Sequence, residues 1–184
     1  MNAIHKLSLV DVLHAHEPAP DHKGQLELYA FLIGAWTAEV IVHAAEKHRG
    51  TAEIHAGWVL EGRAVQDVWM IPRRALRTPG APELPLAGNW YGTTLRVFDP
   101  KLEAWHIFWI DPATQRYVRQ LGRARGADIV QEGTNADGSI SRWRFTHIAA
   151  NSFHWLGERS VDNGANFDLQ VEVLAERARS GGLG

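Results

Sequence analysis

The feature that most constrains this chain is a two-residue alternation of apolar and polar side chains that recurs from about residue 35 to residue 175. Alternation of this kind predicts β-strands that bury one face. Ten such segments can be counted, near residues 35–44, 52–60, 63–71, 90–98, 103–110, 116–124, 127–133, 139–147, 152–160 and 167–175. No helical pattern interrupts them, which excludes a βαβ architecture. An antiparallel meander of this length must close into a barrel or pair two sheets, because its edge strands would otherwise stay unpaired.

Turn residues separate these segments. Asp99-Pro100 and Asp111-Pro112 place proline at the second position of a turn. Residues 135–138 and 162–164 combine Asn, Asp and Gly as hairpin turns do. Only residues 73–89 form a long connection, which we expect to be either disordered or a lid.

A short helix is predicted before the first strand. Asp21 is a candidate N-cap, Gln25 lies near the position for a capping box, and Gly34 ends the segment. The apolar residues follow the helical spacing at Leu26, Tyr29, Ala30 and Ile33. We therefore expect a flexible arm over residues 1–20, a barrel domain over 21–176 and a disordered tail over 177–184.

Length and composition exclude several classes of function. A chain of 184 residues fits one domain, and its net charge of -2 is spread without the basic stripe of a nucleic-acid-binding protein. The absence of cysteine excludes disulfides, thiol catalysis and thiolate-bound metals. We find neither a signal-peptide pattern nor an apolar run long enough to span a membrane. The expectation is a cytoplasmic protein that binds neither nucleic acid nor membrane.

Several segments resemble one group of proteins. The segment 31–36, in which a helix runs into Gly34-x-Trp36, resembles the opening of lipocalin-like (calycin) barrels. Further segments are similar to a large bacterial family of calycin-type barrels that mostly lacks an assigned function: 91–100, 105–112, 142–148 and 152–155. The resemblance spans roughly residues 24–175 and implies an all-β, antiparallel up-and-down barrel of about ten strands with a short N-terminal helix. It also implies that Trp36 seals the closed end under a basic side chain from a late strand, for which Arg159 is the candidate. Relatives of that architecture include haem-binding nitrobindin-like barrels, fatty-acid carriers, cyclases and decarboxylases.

The alternation also predicts which side chains face the interior. The chain has eight tryptophans, and those predicted to face inward are Trp58, Trp69, Trp109, Trp143 and Trp155. The polar residues predicted to join them are Asp67, Tyr91, Arg119, His147 and Arg159. A buried carboxylate must be paired or protonated, and a buried guanidinium must find an anion. One interpretation pairs Asp67 with Arg119 or Arg159 in a solid core, and the other leaves some of these groups free for a ligand.

Three hypotheses of function follow from this interior. The first is binding of a small, mainly apolar or aromatic molecule with an acidic group, held by the tryptophans and by Arg119 and Arg159. The second is a cofactor-free cyclase, isomerase or lyase in which His147 or His106 pairs with Asp67, while Tyr91 donates a proton. The third is haem binding at a late-strand histidine such as His147 or His154. A barrel packed solid with tryptophan would instead favour a structural or interaction module.

Metal binding and self-association complete the expectations. The chain has ten histidines, but they do not show the spacing of a metal site, so no metal and no cofactor other than haem is expected. The segment 103–110 is apolar on both faces, so one face must be covered by a helix, a loop or a second copy. A symmetric homodimer would cover it and is the commonest arrangement among homo-oligomers.

Overall fold

Ten long strands close into one antiparallel barrel in the computed structural model, which describes residues 7–77 and 89–178. A two-residue strand precedes them. The strands are β1 (His14–Ala15), β2 (Gly34–His43), β3 (Lys47–Val59), β4 (Ala64–Ile71), β5 (Trp90–Asp99), β6 (Ala104–Asp111), β7 (Arg116–Arg125), β8 (Asp128–Thr134), β9 (Ile140–Thr146), β10 (Ser152–Ser160) and β11 (Asp168–Arg177). From β2 onward each strand pairs with the next one along the chain, and β11 pairs back with β2. The predicted all-β up-and-down barrel is therefore confirmed.

The strand positions follow the alternation closely, with one clear extension. Strand β3 begins at Lys47, five residues before the predicted start near residue 52, because a tight hairpin pairs Lys47 with His43. The polar residues in this extension show no hydrophobic alternation, so only the backbone pairing reveals the strand. Residues 78–88 of the predicted long connection lie outside the described residues, as does the tail from residue 179.

The segment before the barrel contains short helices. They are α1 (Leu9–Leu13), α2 (Lys23–Leu26) and a 3-10 helix over Glu27–Leu32, and a second 3-10 turn, Arg74–Leu76, follows β4. Strand β1 pairs with the end of β3, so the described part of the predicted arm is joined to the barrel.

The predicted helix cap was wrong. His22, in a left-handed conformation with φ of 69°, is the N-cap of α2, and no side chain caps the helix. Asp21 instead forms an ion pair with Arg63, because the guanidinium competes with the helix N–H groups for its carboxylate. Among the described residues, no helix is long and apolar enough to cross a membrane.

The helical segment covers the end of the barrel at which β2 begins, which we call the closed end. Tyr29, Leu32 and Trp36 are fully buried there. The Trp36 Nε1–H donates to the Leu32 carbonyl at 2.8 Å, and the Arg177 guanidinium lies 4.2 Å from the centre of the Trp36 ring. The cation over Trp36 therefore comes from the last strand, as expected, but it is Arg177 and not Arg159. The reason is the register, which places Arg177 directly opposite Trp36.

The outer face of β6 is apolar, as the sequence predicts. Phe108 and Ile110 point away from the interior and are 37% and 48% exposed, and Tyr117 on the next strand is 64% exposed. These side chains form the kind of surface that a second copy would cover, and the homodimer stays a prediction.

Replacing Arg177 with methionine should lower the free energy of unfolding by about 2 kcal/mol, because the variant loses the stacked cation and its charged hydrogen bonds to main-chain carbonyls. In the structure, the guanidinium donates to the carbonyls of Phe31 and Ile33 at 3.0 and 2.9 Å. Urea denaturation followed by circular dichroism measures the change. The control is Arg49→Met, which breaks an exposed pair with Glu39 and should cost less than about 1 kcal/mol. Equal losses in the two variants would contradict the role of Arg177.

Candidate functional site

Five tryptophans fill the half of the barrel opposite the closed end, which we call the open end. They come from five different strands, β4, β5, β6, β9 and β10. Their neighbouring ring centres lie 5.4 to 6.4 Å apart, at tilted or edge-to-face angles. Together with three polar residues they line one cavity, whose wall consists of Trp69, Trp90, Trp109, Trp143, Trp155, Thr94, Arg96 and Arg116. The candidate site is this cavity.

The cavity is narrow because the indole rings occupy most of it. Its walls border about 320 Å³ of space, part of it continuous with solvent, but only about 20 Å³ admits a sphere the size of a water molecule. One buried water needs roughly 10–15 Å³ measured in this way. The site as it stands therefore holds about one water, and a larger ligand requires the rings to move.

One inward-facing glycine determines where an indole ring of the cavity lies. A Cβ atom on Gly157 would lie 2.8 Å from Cη2 of Trp155. Non-bonded carbons do not approach so closely, so a side chain at this position would displace the ring. Gly122 plays the same part at the closed end, where a Cβ atom would lie 2.7 Å from the Tyr29 hydroxyl. Glycine thus makes room for an aromatic ring in each half of the barrel.

A buried ion pair lies beneath the tryptophans. Asp67 and Arg96 are each 1% exposed, and the Arg96 guanidinium donates to the Asp67 carboxylate. The second carboxylate oxygen accepts the Thr94 backbone N–H at 3.1 Å. The guanidinium also lies 5.2 Å from the ring centre of Tyr29, and burial raises the pKa of Tyr29 well above its usual range. Asp67 is therefore paired, as one interpretation of the sequence required, but its partner is Arg96 rather than Arg119 or Arg159.

Two donors in the cavity wall have no acceptor within the described part of the chain. They are the indole Nε1–H of Trp69 and the Nε–H of Arg96, both fully shielded from solvent. Buried polar groups in folded proteins are nearly always hydrogen-bonded to protein or to water. These two donors are therefore available to an acceptor that enters when the surrounding rings move.

Two arginines lie at the mouth of the cavity. Arg159 donates to the Asp137 carboxylate at 2.5 Å and to the Ser139 hydroxyl at 3.1 Å. Arg116 begins β7 and lines the cavity, and it forms no ion pair or hydrogen bond with another side chain among residues 7–77 and 89–178. Desolvation and the nearby Arg159 lower the pKa of Arg116, and Asp111 opposes this shift. Arg116 is therefore a cation positioned to bind an anion at the mouth.

The prediction that a side chain faces the barrel interior holds for five residues, all of which are buried: Asp67, Trp69, Trp109, Trp143 and Trp155. Trp58 is also buried, but it lies near the end of β3 that forms the closed end and is not part of the cavity wall. The roles proposed for these residues in ligand binding stay predictions.

The inward prediction was wrong for Tyr91, which is 46% exposed. The inner positions of β5 are buried and begin with Trp90 and Gly92. The outer face of this strand also carries apolar residues, Leu95 and Val97. Because both faces are partly apolar, the hydrophobic pattern led to the outer face being taken for the inner one.

Arg119 and His147 also lie outside the barrel. On β7 the buried residues are Val118 and Gln120, which leaves Arg119 on the outer face with its guanidinium 5.9 Å from the Phe108 ring. His147 follows the last residue of β9 with φ of 48°, so the chain has already left the strand where the alternation was extended.

Two further residues that the sequence placed in the site, His106 and Arg159, do not reach the deep part of the cavity. His106 faces outward and lies 3.1 Å from the Asp99 carboxylate through its Nε2 atom. Arg159 has inward parity but lies at the mouth, where its side chain is 47% exposed. The predicted acid/base set of Asp67, Tyr91, His106 and His147 is therefore not assembled in one place.

Four wall residues were missed: Trp90, Thr94, Arg96 and Arg116. The sequence contained a signal for three of them, because Trp90, Thr94 and Arg96 occupy alternate positions on one strand and so share one of its faces. Taking Trp90 as the inward residue that sets the register of β5 would have found the other two. Arg116 lies on the same face of β7 as Val118. Because Val118 is an apolar residue on a strand rich in arginine, it indicated which face of the strand points inward.

Histidines form a cluster on the outer surface rather than inside. Glu172 accepts hydrogen bonds from both His43 and His154, with Nε2–oxygen distances of 2.6 and 3.1 Å. His147 and His154 line a groove of about 600 Å³ across β3, β2, β11 and β10 on the outside of the barrel. No group of three His, Asp or Glu side chains among the described residues is arranged to hold a metal ion. Neither late-strand histidine proposed for haem therefore faces the tryptophan cavity.

Fold and interior together define a calycin-like ten-strand barrel with a tryptophan-rich interior. Solved structures that share this architecture include the following two. The S-type phycobiliprotein lyase CPES from Guillardia theta superposes with a TM-score of 0.57 over 84% of this chain and 92% of its own, at 11% sequence identity. Rv2717c from M. tuberculosis superposes with a TM-score of 0.54 over 89% of this chain and 100% of its own, at 12% identity. At such identities the likeness concerns the fold alone. No protein-family model and no curated protein sequence matches the chain.

Replacing Asp67 with asparagine should lower the free energy of unfolding by about 3–5 kcal/mol, because the buried Arg96 would lose its counter-charge. Urea denaturation measures the loss. A double variant, Asp67→Asn with Arg96→Met, should be less destabilised than the single one, since no uncompensated charge remains. The control is Glu39→Gln, which removes an exposed carboxylate and should change stability little. A double variant less stable than Asp67→Asn alone would contradict the pairing.

Proposed function

We propose that this protein binds a small, mainly apolar or aromatic ligand that bears an acidic group, in the tryptophan cavity at the open end of the barrel. The observation that carries the proposal is the composition of the cavity wall. Five indole rings surround a space whose mouth holds Arg116, a cation without a partner among the described residues.

The wall suits such a ligand for two physical reasons. Indole rings offer a large polarisable surface, and aromatic ligands gain from edge-to-face and offset contacts with them. A guanidinium binds a carboxylate or sulfonate with charge-assisted hydrogen bonds, which are stronger where water is partly excluded. Arg116 can offer its donors to such a group, because it lines the mouth, is exposed there and forms no ion pair with another side chain among the described residues.

Ligand entry requires displacement of the outermost rings. Trp90 and Trp143 are each 7% exposed, whereas Trp69 is 3% exposed. The first two rings therefore lie nearer to solvent than Trp69, and we expect them to move before it. A ligand that binds the conformation with displaced rings must gain more free energy from its contacts than the displacement of the rings requires.

The alternative of a cofactor-free enzyme has weaker support. Its proposed acid/base residues lie on different surfaces, and Asp67 is engaged by Arg96. The haem alternative lacks a histidine in the cavity wall. One of the similar structures is named a phycobiliprotein lyase, so this fold does occur in a protein named for a reaction, and turnover by this chain stays a prediction.

Replacing Arg116 with glutamine should weaken binding of 1-anilinonaphthalene-8-sulfonate by roughly tenfold, since the variant loses the charge-assisted contact to the sulfonate. Quenching of tryptophan fluorescence measures the affinity. The neutral analogue N-phenyl-1-naphthylamine should bind wild type and variant equally.

The control for this change is Arg123→Gln, on the same strand but near the closed end, where the side chain donates only to the Leu102 carbonyl. It should leave both affinities unchanged. Failure of the wild-type protein to bind either compound would refute the proposed function. Equal weakening of both compounds in Arg116→Gln would refute the role of the charge.

Replacing Gly157 with alanine should reduce the affinity for N-phenyl-1-naphthylamine severalfold, because the new methyl group pushes Trp155 into the cavity. Gly122→Ala is the matched control, since its methyl group meets Tyr29 at a similar distance in the closed end. Both variants should melt at lower temperature, but only Gly157→Ala should lose affinity. Retained affinity in Gly157→Ala, or equal loss in both variants, would place the ligand elsewhere.

A further inference from the structure

We infer that the ligand carries a neutral hydrogen-bond acceptor, such as a carbonyl oxygen, at the end opposite its acidic group, and that Trp69 and Arg96 bind this acceptor deep in the cavity. The inference rests on the proposed function and adds the class and the orientation of the ligand. It predicts an aromatic acid bearing an acyl or oxo group, with the acid at the mouth.

The first support is the indole nitrogen of Trp69. Trp69 is the least exposed of the five tryptophans in the wall. Its Nε1–H is shielded from solvent and has no acceptor among the described residues. A tryptophan that served only to fill the core would be expected to bury a hydrogen-bonded nitrogen, because an unpaired buried donor lowers stability.

The second support is an unpartnered donor of Arg96, its Nε–H. One Nη atom is bonded to Asp67, and the Nε–H is buried without an acceptor within the described part of the chain. Arg96 lines the same cavity as Trp69. Two residues that each carry an unpartnered buried donor therefore line one narrow cavity.

The charge of the acceptor follows from the ion pair. Asp67 neutralises Arg96 and is itself 1% exposed. A second carboxylate brought to this depth would be desolvated beside the negative charge of Asp67, which is unfavourable. A carbonyl oxygen accepts both N–H groups without adding charge.

The orientation follows from the position of the other cation. Arg116 lies at the mouth, at the start of β7 and opposite Asp111, and it forms no ion pair or hydrogen bond with a side chain among the described residues. The acidic group is therefore bound at the mouth and the neutral acceptor at depth. Bringing an acceptor to the two donors requires the surrounding rings to move, because both nitrogen atoms are shielded from solvent and only about 20 Å³ of the cavity admits a water.

The test uses two compounds of similar size, 4-acetylbenzoate and 4-isopropylbenzoate. The second has a methyl group where the first has its carbonyl oxygen. Calorimetric titration into the wild-type protein should show at least fivefold tighter binding of the acetyl compound, since each net hydrogen bond is worth about fivefold. Trp69→Phe removes one of the two donors and should reduce this preference. Trp109→Phe, which changes another wall residue whose nitrogen is not an unpartnered buried donor, should retain it.

A direct observation supplements the variants in case Trp69→Phe does not fold. In ¹⁵N-labelled protein, the acetyl compound should shift the indole N–H resonance of Trp69 downfield, and the isopropyl compound should not. Equal affinity of the two compounds for the wild type, or an undiminished preference in Trp69→Phe, would overturn the inference. Binding of anilinonaphthalene sulfonate without binding of either benzoate would also overturn it while leaving the proposed function intact.

Discussion

The structure depends above all on the pairing of the last strand with the first. Seven residue pairs join β11 to β2, from Val171 opposite Val42 to Arg177 opposite Trp36. This pairing removes both edges of the sheet, and a closed sheet has an interior that side chains must fill. It also brings a cation from the end of the chain onto the tryptophan at its beginning, so the closed end forms only when the barrel does.

The interior that closure creates is divided in two. The closed half is filled by the helical segment, whose Tyr29 and Phe31 make edge-to-face contacts with Trp105, Phe145 and Phe153. The open half is filled by five indoles with no covering helix among the described residues. The open half is neither a fully satisfied core nor an open pocket. Its rings fill the space, but two buried donors have no acceptor and one arginine has no ion-pair partner among the described residues.

The sequence predicted the strands well because alternation and turn residues are local signals. It predicted individual inward residues less well, and the errors have one cause. On β5 and β7 the outer face is itself partly apolar, and a shift of one residue exchanges the faces of a strand. Tyr91 and Arg119 were placed inside in this way, whereas Trp90, Arg96 and Arg116 were missed. On β9 the error was one of length, since the strand ends one residue before His147.

By itself, the sequence determined the ten strands, the class of barrel, the tryptophan-rich interior and the burial of Asp67, since each follows from the spacing of residue types along the chain. Only the tertiary structure decided which arginine meets which partner. Arg96 pairs with Asp67, Arg177 covers Trp36, and Arg116 is left at the mouth. The chain has many arginines on neighbouring strands, and their roles depend on register and on depth in the barrel. Those are relations between strands, which the pattern within a single strand does not contain.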